Sequence, residues 1–166
     1  MAAGPFCELC IASGSPCASC QSRIGSDASA KLLWEVSSFV FKNKDKLALN
    51  AVKLLACFDD GHAAVVVTES DPGLLIGKGG RIAEQLARSL NRRVKIIGRH
   101  AEMHSTASEL LSPVRLLGIN EVFSQSGKYF KIRIAKRDAG RLPASRETIT
   151  DALGFVYSGQ ARIAIE

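Results

Sequence analysis

Four cysteines near the start of the chain, Cys7, Cys10, Cys17 and Cys20, form two C-x2-C pairs with six residues between them. Two such knuckles put four thiolates within reach of one tetrahedral ion, the coordination of a closed structural zinc site. Four protein ligands leave no position open for water, so the site suits a scaffold and not hydrolysis. The neighbours Gly4, Pro5, Ser13, Gly14, Ser15 and Pro16 are small or turn-forming. Residues 1–26 therefore read as a small segment without a core of its own, whose folding energy a metal supplies. Two other uses of such thiols compete. A disulfide needs an oxidising compartment, for which the sequence carries no address. A thioredoxin-like redox site needs one C-x2-C at a strand-to-helix junction, whereas two lie here among Gly, Ser and Pro. Cys57, within the apolar run Leu54 to Phe58, reads as a small buried hydrophobe.

The second chemical feature is Ile76-Gly77-Lys78-Gly79-Gly80-Arg81. A G-x-x-G loop between helices lets a nucleic-acid backbone approach the main chain with no side chain in the way. The amides opening the next helix favour phosphate, and Lys78 and Arg81 add positive charge. A Walker loop needs four residues between its glycines and then Lys-Ser/Thr, which the spacing of Gly73, Gly77 and Gly79 does not give. A dinucleotide fingerprint needs G-x-G-x-x-G directly after a strand, and neither condition is met. A glycine turn with a purely structural purpose is the competing reading. The helical flanks and the basic helix that follows favour phosphate contact. Arg81 and Arg88 lie on one face of that helix with Gln85 and Arg92, opposite an apolar stripe of Ile82, Leu86 and Leu90. Gln85 and Arg92 read as an ordinary solvated face, Arg81 as part of the loop, and Arg88 as a candidate contact. Ile76 and Ile82 flank the loop and suit either a groove floor or the core.

Charge agrees with an anionic partner. The net charge of +6 is concentrated in two stretches, 78–99 and 128–146, each with seven Lys or Arg against one acidic residue. His100-Ala-Glu-Met-His104 has Glu102 one place late for a zinc-protease helix and lacks a third ligand, so no enzyme is expected. The 166 residues suit one ordinary domain or small units, with 46% apolar residues to fill a core. Apolar runs such as 63–67 are far short of a membrane span. The first residues lack the charged and apolar regions of a secretory signal, which points to the cytoplasm.

These features must be held by some framework, and the chain supplies it twice. Shifted by 67 residues against itself, it aligns Asp71 with Asp138, Gly73 with Gly140, Ile82 with Ile149 and Leu86 with Leu153, with no gap. Each copy, near 27–100 and 101–166, reads as helix, strand, strand, short helix, longer helix, strand. In the first, a helical segment spans 30–41, and strands at 51–58 and 62–68 are joined by Asp59-Asp60-Gly61, a strong hairpin signal. Asp71-Pro72 opens a short helix, the longer helix carries the apolar stripe, and 94–97 is the last strand. In the second, helices fall near 107–111 and 145–157, and strands near 114–123, 129–135 and 161–165.

The stretch Pro72–Ile97 resembles a KH domain, and the element order is that of the prokaryotic, type II form. The tandem arrangement is similar to archaeal NusA-like proteins, with Leu75 to Arg81 and Ser112-Pro113-Val114 carrying the likeness. The expected fold is α+β: two tandem type II KH units, the second with a degenerate loop, preceded by a zinc-knuckle segment. The resemblance implies single-stranded RNA binding through Ile76, Gly77, Lys78, Gly79, Gly80, Arg81 and Arg88, and a role in transcription elongation, pausing or termination. A ribosome-associated or ribosome-assembly protein using the same RNA surface is the alternative. The four-cysteine segment departs from the two-KH pattern and is expected to dock on RNA polymerase or the ribosome. The second unit departs too. It has Ala144-Ser145-Arg146-Glu147 after Pro143 where the first has its glycine loop, so a mainly structural role is expected there.

Overall fold

The computed structural model describes residues 4–99 and 102–166. His100 and Ala101, where the expected boundary between the two copies falls, lie outside them. The chain divides into two compact units, Met1–Gly98 and Arg99–Glu166. Each is α+β with a three-stranded sheet of its own. Among the described residues no helix is long and apolar enough to cross a membrane.

The first unit opens with two short helices, α1 (Glu8–Ser13) and α2 (Ala18–Ile24). Helix α3 (Ala28–Asn43) follows, with the Asp27 side chain accepting a hydrogen bond from the Ala30 amide at 2.7 Å. That bond satisfies one of the amides that a helix start leaves unpaired. Leu32, Val36 and Val40 repeat every fourth residue and are buried. Ser37, buried among them, donates its hydroxyl to the Leu33 carbonyl at 2.7 Å, so no polar atom is stranded. Strands β1 (Leu54–Asp59) and β2 (Ala63–Thr68) pair antiparallel. The turn forms as its sequence dictates: Asp59 accepts from the Gly61 amide, and Asp60 from those of His62 and Ala63. Helix α4 (Gly73–Ile76), a 3-10 turn (Lys78–Gly80) and helix α5 (Arg81–Leu90) then carry the chain over to β3 (Arg93–Gly98). β3 pairs parallel to β2, giving the order β1-β2-β3. A parallel pair requires such a crossover. β2 is buried along its whole length, as expected for a central strand reading Ala-Ala-Val-Val-Val.

The second unit repeats the plan with α6 (Met103–Leu111), β4 (Leu116–Ser124), β5 (Gly127–Ile134), a 3-10 turn (Lys136–Arg141), α7 (Arg146–Tyr157) and β6 (Gln160–Ile165). Its sheet runs β4-β5-β6, antiparallel then parallel. Tyr157 on α7 donates its hydroxyl to the Met103 carbonyl at 2.7 Å and ties the two helices together. Burial pushes that phenol well above its ordinary pKa.

Strand pairing refines the internal repeat. Val66 pairs with Ile96 in the first unit, and Ile132 with Ile163 in the second. The offset is thus 66 for the central strand and 67 for the last. Leu54 with Thr68 corresponds to Leu116 with Ile134, an offset of 62 for the first strand, and each hairpin has a register shift just after that pair. The repeat therefore extends to a shared bulge, but it is not free of gaps. The second hairpin is longer, and one extra residue precedes β6. The other departure concerns residues 1–26. The C-x2-C pairs do not lie in plain loop: each straddles the start of a short helix. Phe6, Cys10, Ile11 and Cys20 join one buried cluster with Leu32, Val36 and Leu54.

Candidate functional site

Three glycines with positive φ fall within four residues at the α4–α5 junction: Gly77 (76°), Gly79 (65°) and Gly80 (76°). At Gly77 the chain also has no room. A Cβ there would lie 2.6 Å from Cγ1 of Ile82, itself packed against the core. Gly77→Ala should therefore destabilise the protein by about 2–4 kcal/mol, from the strained φ and the forced shift of Ile82; thermal unfolding checks this. Gly79 and Gly80 differ, since a Cβ on either would meet nothing within 4 Å. They are bare main chain facing open space.

Gly80 caps α5 without any side-chain hydrogen bond. The Gly80 amide donates to the Gly77 carbonyl at 3.1 Å and the Arg81 amide to the Lys78 carbonyl, so the positive end of this ten-residue helix rests on the amides that follow, with no side-chain cap. Lys78, Gly79, Arg81 and Arg88 are exposed, Ile76, Gly77 and Gly80 half-buried. Ile76 and Ile82 both pack against the core cluster while bordering the loop. Arg88 stands two turns beyond Arg81, roughly 10 Å along the same exposed face. Among the described residues no acidic side chain pairs with Lys78, Arg81 or Arg88. Arg92 is different: its guanidinium lies 3.0 Å from the Asp59 carboxylate, whose side chain is 4% exposed. Arg92→Ala should cost about 1–2 kcal/mol of stability, because it strands a buried carboxylate. It should leave any anion affinity of the loop unchanged, which a melt and a binding titration on the same variant resolve.

At the matching place in the second unit the helix start is closed. Ser145 caps α7, accepting from the Thr148 amide at 3.1 Å and donating to the Thr148 hydroxyl at 2.9 Å. Ala144 is buried and Glu147 is exposed. Four of the seven cations of the second basic stretch are paired within their own unit. Lys128 pairs with Glu121, Lys131 and Arg133 with Glu166, and Arg137 with Asp138. Lys136, Arg141 and Arg146 stay exposed there without an acidic partner among the described residues, as Lys78, Arg81 and Arg88 do beside the glycine loop.

The four N-terminal cysteines come together. Their sulfurs all lie within 4.8 Å of one another. A tetrahedral ion with metal–sulfur bonds of about 2.3 Å requires sulfurs about 3.8 Å apart, so a small closure completes the sphere. Cys7 and Cys17 begin the two helices, and their amides donate across to Cys20 Sγ at 3.5 Å and Cys10 Sγ at 3.3 Å. Such reciprocal N–H to sulfur bonds suit thiolates. Hydrogen bonds, foremost from the Cys20 amide, hold Cys17 down to about 7. Sharing a proton with Cys20 and Cys17 pushes Cys7 up to about 11. A cation would replace those shared protons. Cys10 and Cys20 are buried, Cys7 and Cys17 exposed. The Arg23 guanidinium donates to the Pro5 carbonyl and draws the ends of the segment together. The Phe6 and Trp34 rings meet at 84° in a T-shaped pair with centroids 5.2 Å apart. The cysteines can hold a metal ion. A spacing signal for the helices beneath them was present, Phe6 with Cys10 and Cys20 with Ile24 at i, i+4, though too short to stand out. Cys57 is buried, and burial pushes its thiol far up.

No protein-family model matches this chain, and no curated protein matches it. Among solved structures it is similar to the crystal structure of APE1850, with a TM-score of 0.54 and 17% identity over 81% of this chain and 96% of that one. At that identity the likeness concerns the fold alone.

Proposed function

We propose that the protein binds single-stranded RNA through its first unit, a type II KH domain, without catalysing a reaction. The observation that carries this reading is the side-chain-free main chain at Gly79 and Gly80, open where a Cβ would stand, which leads into a helix with no side-chain cap between Lys78 and Arg81, neither paired with an acidic side chain among the described residues. Phosphates sit against the glycines and the first amides of α5, and Lys78 and Arg81 neutralise them. The helix–strand–strand–helix–helix–strand order and the antiparallel-then-parallel sheet support the KH assignment. The second unit keeps that plan with a closed helix start and serves mainly as structure at this position.

The ion held by Cys7, Cys10, Cys17 and Cys20 is zinc on this reading, since four thiolates select a soft tetrahedral metal and close its coordination. On this reading the segment, which stands outside the KH plan, docks the protein on RNA polymerase or the ribosome. The wider role we infer is that of a NusA-like factor in transcription elongation or termination. Crosslinking in cells with sequencing of the bound RNA tests it. Nascent transcripts are expected, and recovery of ribosomal RNA alone would transfer the protein to ribosome assembly.

A further inference from the structure

The outward face of the second sheet carries an arrangement that the loop reading does not use. Along β5, Tyr129, Lys131 and Arg133 alternate with the buried Phe130, Ile132 and Ile134, so they share the opposite face. The register sets Arg162 of β6 on one side of Lys131 and Asn120 of β4 on the other. The pairing makes Tyr129, Lys131 and Arg133 the counterparts of Ala63, Val65 and Val67, all 2% exposed or less. Two copies of one framework thus carry a buried apolar row and a half-exposed cationic row at the same positions.

A solvated sheet face needs only polar residues, and mixed charge would serve. This one carries Lys131, Arg133 and Arg162 together with the aromatic ring of Tyr129. The Arg162 guanidinium carbon lies 4.4 Å from the centroid of the Tyr129 ring, over its face, a cation–π contact. The acid that answers these cations comes from beyond the end of β6: Glu166 accepts from Arg133 Nε and Nη2 at 2.8 and 2.7 Å, with Lys131 Nζ at 3.7 Å. The bond from Arg133 holds the Glu166 carboxyl below its ordinary pKa. A carboxylate gripped in this way occupies the place that a phosphate oxygen would take.

We propose that this face is a second contact surface for single-stranded RNA. A base stacks on the Tyr129–Arg162 pair, and a neighbouring phosphate displaces the Glu166 carboxylate from Arg133 and Lys131. The proposal rests on the reading that the chain binds RNA, but on residues remote in sequence from the loop.

The test uses the full chain and a single-stranded RNA of about twenty nucleotides, followed by fluorescence anisotropy. Tyr129→Ala with Arg162→Ala should lower affinity roughly tenfold, while Tyr129→Phe should not. Glu166→Gln should raise affinity severalfold by freeing Arg133. The tenfold loss should recur in a chain already carrying Lys78→Asp and Gly79→Asp. Should the paired alanine variant melt early, Lys131→Gln alone reads the phosphate contact, reducing the salt slope by about 0.7. Sheet variants that bind like the parent while the loop variant fails would overturn this proposal, leave the face to a protein partner and keep the loop reading. The reverse pattern would support the sheet surface and overturn the loop. A parent chain with no RNA affinity would overturn both.

Discussion

Lys78→Asp combined with Gly79→Asp should lower affinity for a short single-stranded RNA by about a hundredfold or more, with the fold intact. The size follows from charge. The pair of changes removes one cation and adds two anions where phosphates approach the N-terminal end of α5, and among the described residues no acidic partner is at hand to be released in exchange. Survival of the fold follows from space. A side-chain carbon added at Gly79 would meet nothing within 4 Å, and Asp tolerates its φ of 65° better than most residues. The strain costs about 1 kcal/mol, small beside a domain's stability. Anisotropy titrations at two salt concentrations, with a melt of each variant, separate lost binding from lost folding. An unchanged affinity would remove the loop from the interface.

The second large effect concerns the cysteines. Stripping the ion with a chelator, or replacing the buried Cys20 with Ser, should open the N-terminal segment and shift the emission of Trp34 to longer wavelength. Trp34 is the single tryptophan, and its ring packs against Phe6 in a T-shaped pair. Opening would also uncover Phe6 and Ile11, each 4% exposed, at about 1.5–3 kcal/mol apiece. The first unit should therefore melt earlier as a whole, beyond the loss of the segment itself. Cys57→Ser is the control: Cys57 stands apart from the cluster, so one equivalent of metal should remain bound. A chain that purifies without metal and shows no change in Trp34 emission on chelation would contradict the metal centre.

What can be read in the sequence is whatever local chemistry determines. Asp59-Asp60-Gly61 makes its turn from its own carboxylates and one glycine, and the Ile82, Leu86, Leu90 stripe makes its helix by period alone. The cysteine spacing predicts the cluster for the same reason, because knuckle and ligand set are both short-range. What cannot be read depends on distant partners. Arg133 and Lys131 are answered by Glu166, 33 residues from Arg133, a pairing that the local charge count of the second basic stretch does not show. Arg92 likewise turns inward to Asp59. The helices α1 and α2 are not legible because six and seven residues hold too little periodic signal against a background of Gly, Ser and Pro. The shared register is hidden by insertions that strand pairing alone reveals. The site residues Ile76 to Arg81 do fall together, as contiguous loops must. The exposure of Lys78, Gly79 and Arg81, and the helix start without a side-chain cap beside them, are properties of packing.

The central claim is that bare main chain at Gly79 and Gly80, together with the first amides of α5, receives an RNA backbone. Amide chemical shifts, recorded while a short single-stranded RNA is titrated into the full chain, test it most directly. The account predicts that the amides of Gly79, Gly80, Arg81 and Ile82 move first and furthest, with those around Ser145 and Thr148 at the closed helix start unmoved. Saturation of binding with the Gly79 to Ile82 amides unmoved would contradict it.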